Sequence, residues 1–187
     1  MRLHRFNVVQ PLGEDVVIDD VSLINQWTKV FRYQIGDFVI LFNGDGYDYC
    51  YSLQDTSKKT CTLIRTKTEA SYIPTQKISL YLSVIKKDNF ELVVQKATEL
   101  GVTHIIPVLS ERSLKKNIPF ERLHKIATEA SEQCGRGDIP LISDVISLSD
   151  AISLLSPETK ALVCAIGDTS LADVVAKEKL FDVSLFI

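Results

Sequence analysis

A chain of 187 residues has room for one substantial domain or two small ones, which excludes a large multidomain assembly. With 45% hydrophobic and 24% charged residues it has ordinary globular composition, so wholesale disorder and collagen-like order are excluded and a buried core is expected. Its 21 Lys and Arg face 24 Asp and Glu, for a formal net charge of -3, so a nucleic-acid site must be a local patch.

The first stretch of about 75 residues reads as β-rich, because short apolar runs alternate with turn chemistry. Strands are predicted at Val16–Ile18, Phe38–Phe42, Tyr47–Tyr51 and Thr60–Ile64, with a helix from about Ser22 to Phe31. Asn43-Gly44-Asp45-Gly46 predicts a hairpin loop, since Gly accepts positive φ and Asn and Asp tolerate the left-handed region. Asp45 and Asp48 read as turn formers.

From Lys77 the rhythm changes to apolar runs alternating with helical spacing, the pattern of a parallel sheet wrapped by helices. The domain boundary is expected near Ser71–Thr75, dividing the chain into 1–73 and 74–187. A strand over Ile78–Ile85 leads to a helix over Asp88–Leu100 that Gly101 ends, then to a strand over His104–Leu109. Pro107 falls near that strand's end, where a lost ladder donor costs least. The next helix starts around Pro119, buries Leu123, Ile126, Ala127, Ala130 and Cys134, and stops at Gly135. A short apolar stretch to Ile146, a helix over Asp150–Leu155, a strand over Ala161–Ile166, a helix through Val174 and a strand over Val183–Ile187 complete the pattern. An end inside an apolar strand is read as a carboxy-terminal truncation.

Cys50, Cys61, Cys134 and Cys164 form no C-x-x-C pair, so no zinc or other metal site is expected. The start lacks a signal-peptide run and no stretch is long and apolar enough for a membrane helix, which predicts a cytoplasmic location. No P-loop, Gly-x-Ser-x-Gly or Gly-x-Gly-x-x-Gly motif is present. Cys134 reads as a packed thiol rather than a nucleophile, and His104 as structural.

Charge is unevenly spread: residues 86–136 hold nine basic and seven acidic side chains, residues 137–187 three and eight. Lys86, Lys87, Lys96, Arg112, Lys115, Lys116, Arg122, Lys125 and Arg136 could meet phosphates or form an ordinary solvated surface. Arg2, His4, Arg5, Lys29 and Arg32 form a second group with the same two readings. Lys96 and Glu99 are neighbours on one helix, and Glu129 with Gln133 and Glu132 with Arg136 share faces of the next. Arg136 stands between two glycines at a helix end, where backbone can approach a ligand and a guanidinium can grip phosphate.

Three ordered segments, Lys96–Val102, Ile106-Pro107 with Ser110–Ser113, and Glu129–Arg136 with Pro140, resemble the RsmE family of SPOUT methyltransferases, which modify ring nitrogen 3 of a uridine in 16S ribosomal RNA. Arg2–Phe6 and Lys29–Arg32 through Gly36-Asp37 to Phe42-Asn43-Gly44 are similar to that family's PUA-like barrel, although Gln26-Trp27 stands where the family has a His-Leu-like pair. The resemblance implies an α/β chain with a PUA-like RNA-binding β-barrel at 1–73 and a SPOUT trefoil-knot domain at 74–187. The family's Gly-Pro-Glu-Gly-Gly and Leu-Arg-x-Glu-Thr segments, which form the knot that holds S-adenosylmethionine, do not occur. Cofactor residues are therefore expected beyond Ile187. The resemblance further implies Arg136, Glu129 and Gln133 at the catalytic centre, with Lys96, Glu99, Arg112, Arg2, Arg5, Arg32, Lys86 and Lys87 toward substrate. It implies a homodimer acting on 16S ribosomal RNA or the small ribosomal subunit. A noncatalytic RNA-binding or ribosome-assembly protein is the alternative.

Overall fold

The computed structural model describes residues 3–111, 113, 118–165, 170–177 and 181–187, with backbone alone at 175–177. Two compact units are formed: Met1–Ile73 with Glu132–Asp138, and Pro74–Ser131 with Ile139–Ile187. The chain thus returns to its first unit for seven residues that the sequence assigns to the second domain.

In the first unit, β1 (Arg5–Asn7), β2 (Asp15–Ile18), β3 (Phe38–Phe42), β4 (Tyr47–Thr56) and β5 (Cys61–Ala70) form one sheet in the order β1-β3-β4-β5-β2. It is a curled half-barrel: β1 runs parallel to β3, the other pairs are antiparallel, and no ladder joins the edge strands β1 and β2 among the described residues. Register shifts at Cys50/Tyr51 and Leu53/Asp55 supply bulges, which strengthen the twist. The concave face buries Phe6, Ile18, Val39, Leu41, Tyr51 and Leu63 against Ile24 and Trp27.

Those last two residues come from α1 (Val21–Asn25) and the π-helical turn Gln26–Phe31 that continues it. Asp20 starts α1 by accepting the Ser22 and Leu23 amides at 2.8 and 3.2 Å. The turn ends at Arg32, the one non-glycine at positive φ (58°) among the described residues. The hairpin forms as its residues dictate: Gly44 and Gly46 have φ of 88° and 96°, and Asp45 accepts the Tyr47 amide. Asp45 also accepts the Tyr49 hydroxyl, which pushes that phenol's pKa up to about 12. Asp48 departs from expectation, since it lies inside β4 rather than in the turn.

The second unit is a parallel sheet built from β6 (Lys77–Ser83), β7 (His104–Leu109), β8 (Leu141–Ile142), β9 (Ile146–Ser147), β10 (Lys160–Val163) and β11 (Asp182–Phe186). The order is β10-β11-β6-β7-β8, with β9 also on β7. Helices α2 (Lys87–Glu99) and α3 (Phe120–Cys134, to Ser131 in this unit) bury Phe90, Val94, Leu123 and Ala127 against Leu80, Leu82 and Ile105. Ala151 of α4 (Leu148–Ser153) joins Tyr81, Ile106, Val108 and Phe186 in a separate cluster; α5 spans Leu171–Lys177. Gly101 ends α2 with φ of 90°, its amide bonding the Thr98 carbonyl and the Val102 amide that of Ala97, a Schellman closure.

Pro107 is tolerated because β8 pairs only with His104–Ile105 and β9 only with Val108–Leu109, so it falls in the gap between the two partners. Cys134 differs from its predicted burial: it is exposed, because α3 has left the second unit's core by that turn. No helix among the described residues is long and apolar enough to cross a membrane.

His104 bonds Ser143 through Nε2 at 2.5 Å, and burial holds its imidazole below the ordinary value of 6.5. The folded state therefore favours neutral imidazole, and the stability this contributes is present above about pH 6.5 and lost as pH falls toward the depressed value. In His104→Gln, the decline of the unfolding midpoint below pH 6.5 should become shallower. An identical acid limb in both proteins would count against this assignment.

Candidate functional site

The alternation of β1 puts Phe6 into the core, so Arg5 and Asn7 point to the opposite face of the sheet. There Arg5 closes a two-pronged pair with Asp48, Nε to Oδ2 at 2.8 Å and Nη2 to Oδ1 at 2.6 Å. Its guanidinium lies 4.4 Å over the Phe42 ring, which is why Phe42 is buried although it faces away from Val39 and Leu41. Nη1 donates to the Arg136 carbonyl at 3.2 Å.

The returning segment Glu132–Asp138 covers this same face. Asn7 donates its amide to Glu132 Oε1 at 2.9 Å, Tyr72 and Arg136 form a parallel bridge, and the Gly137 amide donates to the Tyr72 carbonyl at 2.7 Å. Arg136 grips Asp138 with Nε and Nη2 at 2.6 and 3.0 Å. The Arg136 side chain is 1% exposed and Arg5 8%. Paired, buried guanidiniums of this kind fix geometry. Arg136, expected open to a ligand between its glycines, and Arg5, expected at a phosphate, are both turned to protein partners in this arrangement. The cause is the same in both: a carboxylate close enough to engage both prongs of the fork.

The other predicted residues fall in both units. Gln133 is exposed in the first unit, whereas Glu129 is in the second, 3.8 Å from Lys125. Lys96 and Glu99 pair at 2.8 Å on the surface of α2, and this hydrogen bond, assisted by Gln95, holds the Glu99 carboxyl below its ordinary range. Lys86 is exposed before α2, and Arg32 is exposed at the left-handed end of its turn. Arg2 and Arg112, like Lys115 and Lys116, lie outside the described residues.

β6 and β11 lie side by side although far apart in the chain, and in open α/β sheets ligands sit outside the carboxyl ends of the strands. Just past the end of β6 is a cavity of about 310 Å3 lined by Val84, Ile85, Phe90, Ile118, Pro119 and Leu123, with Lys87 and Glu91 at its wall. Glu91 faces Lys87 at 3.8 Å and Arg122 at 3.4 Å, yet its buried Oε1 accepts no hydrogen bond. Asp48, Asp138, Asn7 and Glu91 were not anticipated as site residues. The alternation of β1 and the short Arg136-Gly137-Asp138 spacing are the signals that point to the first three.

The family model described as an RNA methyltransferase domain matches residues 72–187. The chain belongs to this RNA methyltransferase family. The model of the RNA methyltransferase PUA domain matches residues 28–64, within the half-barrel. Relatives named Ribosomal RNA small subunit methyltransferase E are 32% identical in Synechocystis sp. over 73% of this chain, 29% in Rickettsia conorii over 80% and 31% in Bacillus subtilis over 75%. The aligned parts make up 46%, 62% and 57% of those relatives, so the chain spans about half their length. Solved methyltransferases share the fold: Ribosomal RNA small subunit methyltransferase E of Neisseria gonorrhoeae, bound to S-adenosyl methionine, has a TM-score of 0.88 at 23% identity, covering 100% of this chain and 79% of that one. A methyltransferase of Legionella pneumophila, also with bound cofactor, has 0.85 at 25%, covering 100% and 80%. In this member of the family, then, residues Glu132–Asp138 close as a buried clamp on the half-barrel sheet.

Proposed function

We propose that the whole protein transfers the methyl group of S-adenosylmethionine to ring nitrogen 3 of a uridine in 16S ribosomal RNA, as a homodimer. The observation that carries this reading is the family match over residues 72–187, reinforced by relatives named for the small-subunit RNA. S-adenosylmethionine brings a sulfonium, an ammonium, a carboxylate and a ribose diol. The cavity beyond β6 has mostly aliphatic and aromatic walls, and its one carboxylate already faces two cations. The lining of this cavity does not fit the cofactor.

What this chain contributes under the proposal is substrate handling. Arg32, Lys86 and Lys87 present exposed charge toward RNA, while Arg5 and Arg136 brace the half-barrel sheet of the first unit. Glu129, Gln133, Lys96, Glu99 and Arg112 remain proposed members of the substrate site, and cofactor contacts are assigned to residues outside the described ones. Incubating the full-length protein with small ribosomal subunits and methyl-labelled S-adenosylmethionine should yield labelled N3-methyluridine after nuclease digestion. Label on another ring atom, or none, would sink the proposal.

A further inference from the structure

The cavity past the end of β6 is apolar on most of its wall and carries one polar edge. Val84, Phe90, Ile118, Pro119 and Leu123 supply the apolar part. At the edge stands the Glu91 carboxylate, 17% exposed, with Lys87 Nζ 3.8 Å from Oε1 and Arg122 Nε 3.4 Å from Oε2. Its Oε1 accepts no hydrogen bond.

Both ion pairs are loose. A Lys one turn before a Glu is the weaker order for a helix pair, and 3.8 and 3.4 Å are long for charge-assisted contacts. A mostly buried carboxylate with an unused oxygen costs stability, so the arrangement is that of an acceptor kept for a donor from outside the chain. The carboxylate turns readily about its last bond and can present that oxygen to the cavity.

With a cation at each oxygen, the edge runs donor, acceptor, donor. The Watson–Crick edge of uracil is its complement: carbonyl O4, imino N3–H, carbonyl O2. Cytosine would set a bare N3 lone pair against the carboxylate and an amino group against a cation. Guanine matches at O6 and N1–H but turns an amino group toward the second cation. At about 310 Å3 the cavity is at the small end of ligand sites, which suits one pyrimidine ring between apolar walls.

We propose that this cavity receives an unstacked uracil base, with its imino N3–H donated to the Glu91 carboxylate and its two carbonyls toward Lys87 and Arg122. The assignment rests on the RNA methyltransferase reading and adds to it how the base is chosen. It also accounts for product release, since a methyl group on N3 removes the donor and sets carbon against the carboxylate.

The test is saturation-transfer NMR on the full-length protein, following the base H5 and H6 protons of uridine, cytidine and 3-methyluridine at millimolar concentration. Nucleosides carry no phosphate, so surface cations do not favour one over another. Wild type should bind uridine about tenfold more tightly than either competitor. Glu91→Gln is isosteric, and its carboxamide offers the base either oxygen or NH2, so uridine and cytidine should bind it within about twofold of each other. Circular dichroism checks its fold. A wild type that binds uridine and cytidine alike, or neither, overturns the pocket, as does a folded Glu91→Gln that keeps the preference. If that same full-length protein still labels N3 of uridine in small ribosomal subunits, the methyltransferase reading stands without the pocket. Selective, Glu91-dependent uridine binding by a protein that methylates no RNA keeps the pocket and overturns that reading.

Discussion

Replacing Arg136 with Ala should lower stability by about 3 kcal/mol, read as an earlier urea midpoint in the fluorescence of Trp27. That residue is the only tryptophan of the chain and is buried in the core of the first unit, so it reports on the unit to which Arg136 belongs. Removing one member of a buried pair strands the other charge and forfeits the packing of the guanidinium stem. Asp138 is 26% exposed and can recover some hydration, which places the effect at the lower end of the range for buried pairs. Arg136→Lys keeps the charge but cannot reproduce the two-pronged contact, and should recover less than half of the loss. A midpoint unmoved by both substitutions would return Arg136 to the set of residues free to act on substrate.

How far the sequence can be read follows from how local each signal is. Phe38–Phe42 and His104–Leu109 fall on their predicted bounds because each is an apolar run closed on both sides by turn chemistry. The strands after the hairpin extend past prediction, to Thr56 and Ala70. Apart from buried Leu53 and the terminal Ala70, their distal residues are polar and are held by the β4–β5 ladder, which leaves little apolar mark. The predicted helix over Ser22–Phe31 is one apolar face in the sequence but two geometries in the fold. The clamp is least legible of all. Arg5 meets a carboxylate 43 residues away and a carbonyl 131 residues away, and one sequence without relatives carries no trace of such pairings. Helix spacing could show that Glu132 and Arg136 share a face, but not that the face leaves its own domain to cover another sheet.

Gly137→Ala tests the same clamp at its tightest backbone approach, and it should cost about 3 kcal/mol. A Cβ on Gly137 would stand 1.7 Å from Ser71 Oγ, 2.7 Å from Ser71 Cβ and 3.4 Å from the Tyr72 carbonyl. The hydroxyl could swing aside, but Ser71 Cβ moves only with its backbone. That backbone is tied down on both sides, by the Ser71 amide on the Gly46 carbonyl at 2.9 Å and by the Gly137 amide on the Tyr72 carbonyl at 2.7 Å. Here glycine is required for space, not for a left-handed dihedral. The neighbour that creates the requirement can be removed: Ser71 Oγ is buried without a hydrogen-bond partner, so Ser71→Gly gives up little beyond backbone entropy. In the double variant Ser71→Gly/Gly137→Ala the added methyl group enters the vacated volume, and most of the loss should be regained. The cycle of four proteins, followed by urea unfolding through Trp27, should give a favourable coupling of about 2 kcal/mol between the two positions. Strict additivity would mean that the segment from Glu132 to Asp138 shifts freely on the sheet when Gly137 is enlarged, and that the clamp formed by Arg5, Asp48, Arg136 and Asp138 does not hold it in place.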